Sequence, residues 1–291
     1  MGFPGKMLVV FEEDAKMAGI NSVASNPSAL VALQNLNKIT QSLATAQNRV
    51  STGLKISSAL DNGASFAIAQ GIRGELKAIT AVTQGLDNAK GVGKVALAGT
   101  TSVSDLLGDI RSKLTELSNA GVTTSQRALL SEDFNDLLTQ AGDFITSAVF
   151  NGINLIDGTT TSITVLSNLT GGTLTVGASY NLASDMTSLA GVSVGSASSS
   201  LAVITSQFAT LESSVNAALG GLGADVNSLE FQSSFLAAIS DATEEGLAGI
   251  VDADMAREAA RLTALQVQQQ LAVQTLGIVN QAPLSLLSLF R

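Results

Sequence analysis

Two of the side chains that most often carry chemistry are absent: the 291 residues include no Cys and no His. Thiol nucleophiles, disulfides and thiolate metal sites are thereby excluded. So are the commonest general base and transition-metal ligand. What remains is carboxylates, amides and hydroxyls. Asp252 and Asp254, with Glu244 and Glu245, raise the thought of calcium, but no glycine-turned loop offers ligands at alternate positions. These acids read instead as helix-start residues complementing the dipole, with Asp254 near the cap. Gly91-Val92-Gly93 lacks a phosphate-loop lysine in frame and reads as close-packing glycine inside a helical pattern. Nothing places two carboxylates across a cleft for acid–base work. No catalytic residue, metal ligand or cofactor-binding residue is assigned, and the chain is not expected to be an enzyme.

Hydroxyls dominate one region. Residues 158–200 hold 18 Ser or Thr, no Lys or Arg, and one acid, Asp185. Thr159, Thr160, Thr161, Ser162, Ser196 and Ser198 are candidate O-glycan acceptors; the plain alternative is a polar surface. Asn168-Leu169-Thr170 also spells an N-glycosylation sequon. Ile163 and Val165 alternate, as do Leu174 and Val176, with Gly171-Gly172 between, so this region reads as short strands and turns forming an exposed insert.

The elements around the insert read as helices. Leu33, Leu36, Thr40, Leu43, Gln47, Val50 and Leu54 alternate three and four apart from Pro27 onward. Asp61-Asn62-Gly63 is a turn. A second pattern runs through Ile68, Ile72, Glu75, Ile79, Val82, Leu86, Ala89, Gly93 and Ala96, and resumes at Val103, Leu107, Ile110, Leu114 and Leu117. Asn119-Ala120-Gly121 stops it, and Leu129, Phe134, Leu137, Leu138, Phe144 and Ile145 suggest another helix. Beyond the insert come Leu201, Ile204, Phe208, Leu211, Val215, Ala218 and Leu222, with a register slip expected near Gly220-Gly221 before Val226, Leu229, Leu236 and Ile239. Finally Met255, Glu258, Leu262, Leu265, Gln269, Ala272, Leu276 and Val279 form a seam that Pro283 is expected to end. The terminal seams cannot bury their stripes alone and must pair with each other or with copies of themselves. Thr40, Gln47 and Gln269 are register devices or face a wet channel. Gln268, Gln269 and Gln270 read as inter-subunit hydrogen-bond partners; the plain alternative is a solvated helix face.

Charge and composition agree with packed helices. Aromatics are 4%, with no Trp and one Tyr, so burial rests on Leu, Ala, Val and Ile. The net charge of −9 is concentrated in the middle, since no Lys or Arg lies between Arg127 and Arg257. No basic stripe for nucleic acid exists. The uncharged stretch from Leu262 to Phe290 carries seven Asn or Gln, each needing a partner in lipid, so membrane insertion is not expected.

Three segments, in order, resemble bacterial flagellin. Leu33-Gln34-Asn35-Leu36, Val50 through Ala59, Asp61-Asn62-Gly63-Ala64 and Ala67-Ile68-Ala69 are similar to the family's N-terminal signature, with Lys55 where Arg is preferred and Asn62-Gly63 where Asp-Ala is. Phe150-Asn151-Gly152-Ile153-Asn154-Leu155-Ile156 looks like its FNGxxLL element. Asp252-Ala253-Asp254-Met255-Ala256, Gln268-Gln269 and Asn280-Gln281-Ala282-Pro283 through Leu289 are similar to its C-terminal tail, with Val251 in place of Glu. The length and short insert resemble the compact alpha-proteobacterial type.

The resemblance implies a mainly α fold, in which long antiparallel helices form a terminal coiled coil and a helical bundle, with a small β-containing central insert. It implies a filament-core helix and spoke at 17–60, inner-shell segments at 61–157 and 201–248, a surface insert at 158–200 and a C-terminal core helix at 249–291. Residues 1–16 match nothing in the family, so translation is expected from Met17. The implied function is a filament subunit for swimming motility; the alternative is the hook–filament junction protein. Implied partners are copies of the chain, the flagellar export apparatus and its chaperone, and the hook-associated junction and cap proteins. The implied location is the extracellular filament. Leu33, Leu36, Leu43, Val50, Leu262, Leu265, Gln269, Leu276 and Val279 would form the polymerisation interface. Asp109, Arg111 and Ser112 stand at the Arg-x-Arg-Glu motif through which an innate receptor recognises the family, a degenerate match. The His-dependent zinc-protease insert of some flagellins cannot be hosted here. The insert is expected to be dispensable for assembly, so that a chain lacking Thr161 to Ser198 would still polymerise.

Overall fold

The computed structural model describes residues 26–288, with side chains described through residue 281. Residues 1–25, including Met17, lie outside the described residues, as do 289–291. Helix α1 spans Pro27–Thr52, α2 Gly63–Leu117, α3 Thr124–Ser147, α4 Leu182–Ala190, α5 Ala197–Val203, α6 Ala209–Val251 and α7 Met255–Ser288. Strands β1 (Ile163–Leu166) and β2 (Thr173–Val176) form an antiparallel pair, and a π-helical turn at Ile204–Phe208 joins α5 to α6. The chain divides into two compact units, residues 72–244 and the two flanking arms 1–71 and 245–291.

The inner unit, 72–244, is organised by α2. Its buried positions run Ile79, Val82, Leu86, Ala89, Ala96, Thr100, Val103, Leu107, Ile110, Leu114 and Leu117, alternating three and four apart with Gly93 filling the one gap. Thr100 bridges the two halves of the sequence pattern; its hydroxyl donates to the Ala96 carbonyl at 2.8 Å, so a polar residue is buried without an unpaired donor. The earlier members of that pattern do not join the core: Ile68 is exposed and so is Glu75. Arg127 closes α2 by donating to the Leu117 and Asn119 carbonyls, which would otherwise be orphaned at a helix end. A Thr123–Gln126 capping box then starts α3. Phe134, Leu138, Ala141 and Ile145 of α3 face inward, whereas Leu129 points to solvent.

Three close approaches explain three glycines of α2. A Cβ on Gly91 would stand 2.8 Å from the Phe150 ring, one on Gly99 2.7 Å from Ala148 Cβ, and one on Gly93 2.9 Å from Val226 Cγ2. Gly91 and Gly93 are thus packing glycines.

From Phe208 at the end of the π turn, Leu211, Val215, Ala218, Leu222, Leu229 and Leu236 of α6 continue the buried face, and the last three are seven apart. The expected slip at Gly220-Gly221 is therefore absent. The register changes earlier, at the π turn, where the buried residues Val203 and Phe208 are five apart. One extra residue per turn rotates the following face, which is why Leu201 is exposed and Ser200 buried. The misleading signal was Val226: it is buried not as a seam residue but over bare Gly93, while the seam position beside it, Asp225, accepts the Gly177 N–H at 2.8 Å.

The 158–200 region is only partly a surface insert. The β pair has the expected alternation, with Ile163 opposite Val176 and Val165 opposite Leu174 on the inward face. Beyond it, residues 182–190 and 197–203 are helices rather than strands and turns. Val176, Leu182, Met186, Leu189 and Val194 belong to the main core. Leu182, Met186 and Leu189 are helically spaced, but Ser and Thr on the outer faces masked it. Deletion of Thr161 to Ser198 would remove all five from that core.

Candidate functional site

Among the described residues no group of three or more Asp or Glu could hold a metal. Glu244, Glu245 and Asp252 are exposed, and Asp254 is an N-cap whose Oδ1 accepts the Arg257 N–H at 3.1 Å. No described helix is long and apolar enough to cross a membrane. The feature with functional content is the pairing of the terminal helices, α1 and α7.

Asn26 starts α1. Its Oδ1 accepts the Ala29 N–H at 3.1 Å, and Pro27 follows at the first helical position, where its missing N–H costs nothing. Gly53 ends the helix in the left-handed region (φ 73), with its N–H on the Arg49 carbonyl at 2.9 Å. α7 lies antiparallel, because Asn26 bonds to Val279 while Arg49 pairs with Glu258. Pro283 does not end α7, which continues to Ser288. A proline has no N–H for the carbonyl four residues back, here that of Val279. Asn26 Nδ2 donates to that carbonyl at 3.0 Å, replacing the missing helical bond.

The opposite end of the pair is fastened twice. The Lys55 N–H donates to the Val251 carbonyl at 2.7 Å and the Ala253 N–H to the Gly53 carbonyl at 2.8 Å. The Arg49 guanidinium meets Glu258 Oε1 at 3.1 Å, with Arg261 at 4.0 Å from the same oxygen. Arg49 Nε and Glu258 Oε2 are buried without partners, so this pair specifies alignment at some cost in stability. In the segment between α1 and α2, Asp61 accepts the backbone N–H groups of Ser58 and Ser57 and their hydroxyls, and the two N–H groups chiefly hold its carboxyl below the usual range.

Between these ends the seam differs on the two helices. On α7 the expected residues Leu262, Leu265, Gln269, Ala272, Leu276 and Val279 are all partly covered, and Glu258 is buried. Of the glutamines, Gln269 lies in the seam while Gln268 and Gln270 are exposed. On α1, Leu36, Leu43 and Val50 face α7, but Leu33, Thr40 and Gln47 are exposed. Ala32, Ile39 and Ala46 take their places. The true stripe has no polar interruption; the larger Leu33 drew attention from the small Ala32. Each helix also keeps a second apolar face uncovered: Leu30, Val31 and Leu33 on α1, and Val267, Leu271 and Ile278 on α7, the last 70% exposed.

The other expected positions lie in the inner unit. Asp109, Arg111 and Ser112 are exposed on α2. Arg111 is engaged at home: its guanidinium meets Glu212 at 3.3 Å and lies over the Phe208 ring, 5.8 Å from its centroid. Nearby, a hydrogen bond to Asp133 at 3.2 Å raises the Lys113 pKa. Thr159, Thr161, Ser162, Ser196 and Ser198 are exposed, and Thr160 is half-buried. Two of these hydroxyls are already in use: Thr159 donates to Asp157 at 2.7 Å, and Ser196 caps α5. Asn168 of the sequon shapes the β1–β2 turn, its Oδ1 accepting the Thr170 and Gly172 N–H groups. Sequence reasoning missed Tyr180, whose hydroxyl abuts Gly221 and whose pKa is raised by burial and then by Asp225. Its being the sole Tyr was the available signal.

A family model for the bacterial flagellin N-terminal helical region matches residues 23–161, and one for the bacterial flagellin C-terminal helical region matches residues 190–290. Flagellin FljK of Caulobacter vibrioides is 36% identical over 277 residues, covering 94% of this chain and 99% of that one. A flagellin of Brucella melitensis is 35% identical over 281 residues, covering 93% and 99%. Among solved structures, the crystal structure of Bacillus cereus flagellin is similar over 52% of this chain and 88% of that one, at 20% identity and a TM-score of 0.47. With both terminal regions matched and near-complete coverage by such relatives, the chain belongs to the bacterial flagellin family.

Proposed function

We infer that this chain is the structural subunit of a bacterial flagellar filament, polymerising with copies of itself for swimming motility. One observation carries the reading beyond family membership. The α1–α7 pair closes one apolar stripe internally and leaves a second, including Val267, Leu271 and Ile278, uncovered. An apolar face of that extent on a helix pair calls for neighbours. Each Leu, Val or Ile buried by stacking contributes roughly 1.5–3 kcal/mol. The proposed interface therefore has two parts. Leu36, Leu43, Val50, Leu262, Leu265, Gln269, Leu276 and Val279 build the pair, whereas Leu33 and the outer residues of α7 meet other subunits. Nothing in the relatives favours the junction-protein alternative. Flagellins are structural proteins, and the reading extends to a chain without catalysis, exported through the flagellar apparatus with a chaperone, capped and joined by hook-associated proteins, and located outside the cell. The domain plan proposed is a core of 17–60 with 249–291, an inner shell of 61–157 with 201–248, and a variable segment at 158–200 whose hydroxyls are available to O-glycans.

Ile278→Lys tests the outer face, since it leaves the internal seam untouched. Sedimentation and negative-stain imaging should show folded monomer without filaments. Normal filaments would sink the proposed outer interface.

The position corresponding to the innate-receptor motif should support only weak recognition. Asp109 places an acid where an Arg is expected, Ser112 lacks a charge, and Arg111 is held by Glu212. Purified monomer in a receptor-reporter assay should be much less potent than a flagellin carrying the full motif; equal potency would refute this.

A further inference from the structure

Two Asn-Gly pairs occur in the sequence, Asn62-Gly63 and Asn151-Gly152. Such a pair is prone to one spontaneous reaction, because the glycine that follows has no Cβ to hinder its backbone nitrogen. We propose that Asn151 is a site of spontaneous deamidation in the folded subunit, and that the fold protects Asn62.

The two asparagines are held in opposite ways. Asn62 Oδ1 accepts the Ser65 N–H at 3.1 Å and its carbonyl accepts the Phe66 N–H at 2.9 Å. Gly63 is the first residue of α2. Reaction there must break the cap and pull Gly63 out of the helix. Asn151 is exposed, in the left-handed region with φ 50, followed by Gly152 with φ 80. Two positive φ values mark a tight hairpin turn for which Asn-Gly is the favoured sequence. The Phe150 N–H donates to the Ile153 carbonyl at 3.0 Å and the Ile153 N–H to the Phe150 carbonyl at 2.9 Å. These bonds close the turn from outside the pair. Among the described residues, neither the Asn151 side chain nor the Gly152 N–H has a hydrogen-bond partner.

In the reaction the Gly152 N–H gives its proton to solvent base and the nitrogen attacks Asn151 Cγ. The new N–Cγ bond forms, the Cγ–Nδ2 bond breaks, and Nδ2 leaves as ammonia after gaining a proton. Water then opens the succinimide at either carbonyl, giving aspartate or its isoaspartyl isomer. Nothing is oxidised or reduced. The isomer carries an extra atom in the main chain, which a two-residue turn cannot absorb while keeping both Phe150–Ile153 bonds. The Phe150 ring lies on Gly91 of α2, so a distorted turn would loosen that contact. The site would act as an ageing mark on exposed subunits.

The test is peptide mapping by mass spectrometry of the full-length soluble chain held in mildly alkaline buffer, folded and in denaturant. The folded chain should show the amide-to-acid mass shift in the peptide containing Asn151 and not in that containing Asn62. In denaturant both peptides should shift. Asn151→Gly, which keeps the turn conformation, should lose the shift, and Asn62→Ser, which keeps a helix cap, should retain it at Asn151. The proposal is overturned if Asn62 of the folded chain converts as fast as Asn151. It is overturned equally if folded Asn151 stays intact while the denatured chain converts.

Discussion

Asn26 shows how much alignment one side chain can impose. Its carbonyl oxygen caps α1 while its amide nitrogen serves the Val279 carbonyl that Pro283 leaves without its helical donor. Neither half of this arrangement is visible in local sequence, because the partners are 253 positions apart. Asn26→Ala should cost about 1–2 kcal/mol through the lost cap and the orphaned carbonyl. In a Pro283→Ala background the helix supplies its own N–H to Val279, and only the capping loss should remain. Chemical denaturation of the four variants gives the coupling directly. An Asn26→Ala cost that is the same in both backgrounds would show that the side chain does not serve that carbonyl.

At the scale of elements, the two faces of a helix answer different needs. The stripe of α2 from Ile79 to Leu117 was legible because every third or fourth position is apolar or small, and the same spacing is what packing against α3 and α6 requires. The 182–203 segment was not legible. Leu182, Met186 and Leu189 are helically spaced, but short helices draped with Ser and Thr have low intrinsic helicity and form through tertiary burial. That burial divides the variable segment into a dispensable tip and a structural base. Replacing residues 167–172 at the β1–β2 turn with a two-residue turn should leave helicity and filament formation intact. Removing Thr161 to Ser198 strips five core side chains and should unfold the inner unit, since deletion of even one buried Leu side chain costs about 2–5 kcal/mol. Circular dichroism with negative-stain imaging separates the two; filaments from the large deletion would contradict the assigned core.

For the whole molecule, stability and function are coupled through the terminal pair. Two helices that share one stripe leave much of their surface in water, so the free subunit should hold them only marginally, and hydrogen exchange along Pro27–Thr52 and Met255–Ser288 should be fast. Neighbours that cover Val267, Leu271 and Ile278 would stabilise the pair and grow the filament together, so assembly should rise steeply with concentration. Sedimentation of a dilution series checks this; assembly proportional to concentration without a threshold would argue against the coupling. The sequence by itself determined the helical class, the α7 seam, the β alternation, the absence of Cys and His chemistry and the flagellin resemblance. Each of these rests on residue type or on spacing within one segment. Only the tertiary structure decided that Ala32 rather than Leu33 faces α7, that the register shifts at Ile204–Phe208 and not at Gly220-Gly221, and that α7 passes through Pro283. For the first and the last a distant group made the choice: the facing helix, and the amide of Asn26. Periodicity states which faces a helix can bury, and packing against remote neighbours selects the one it does.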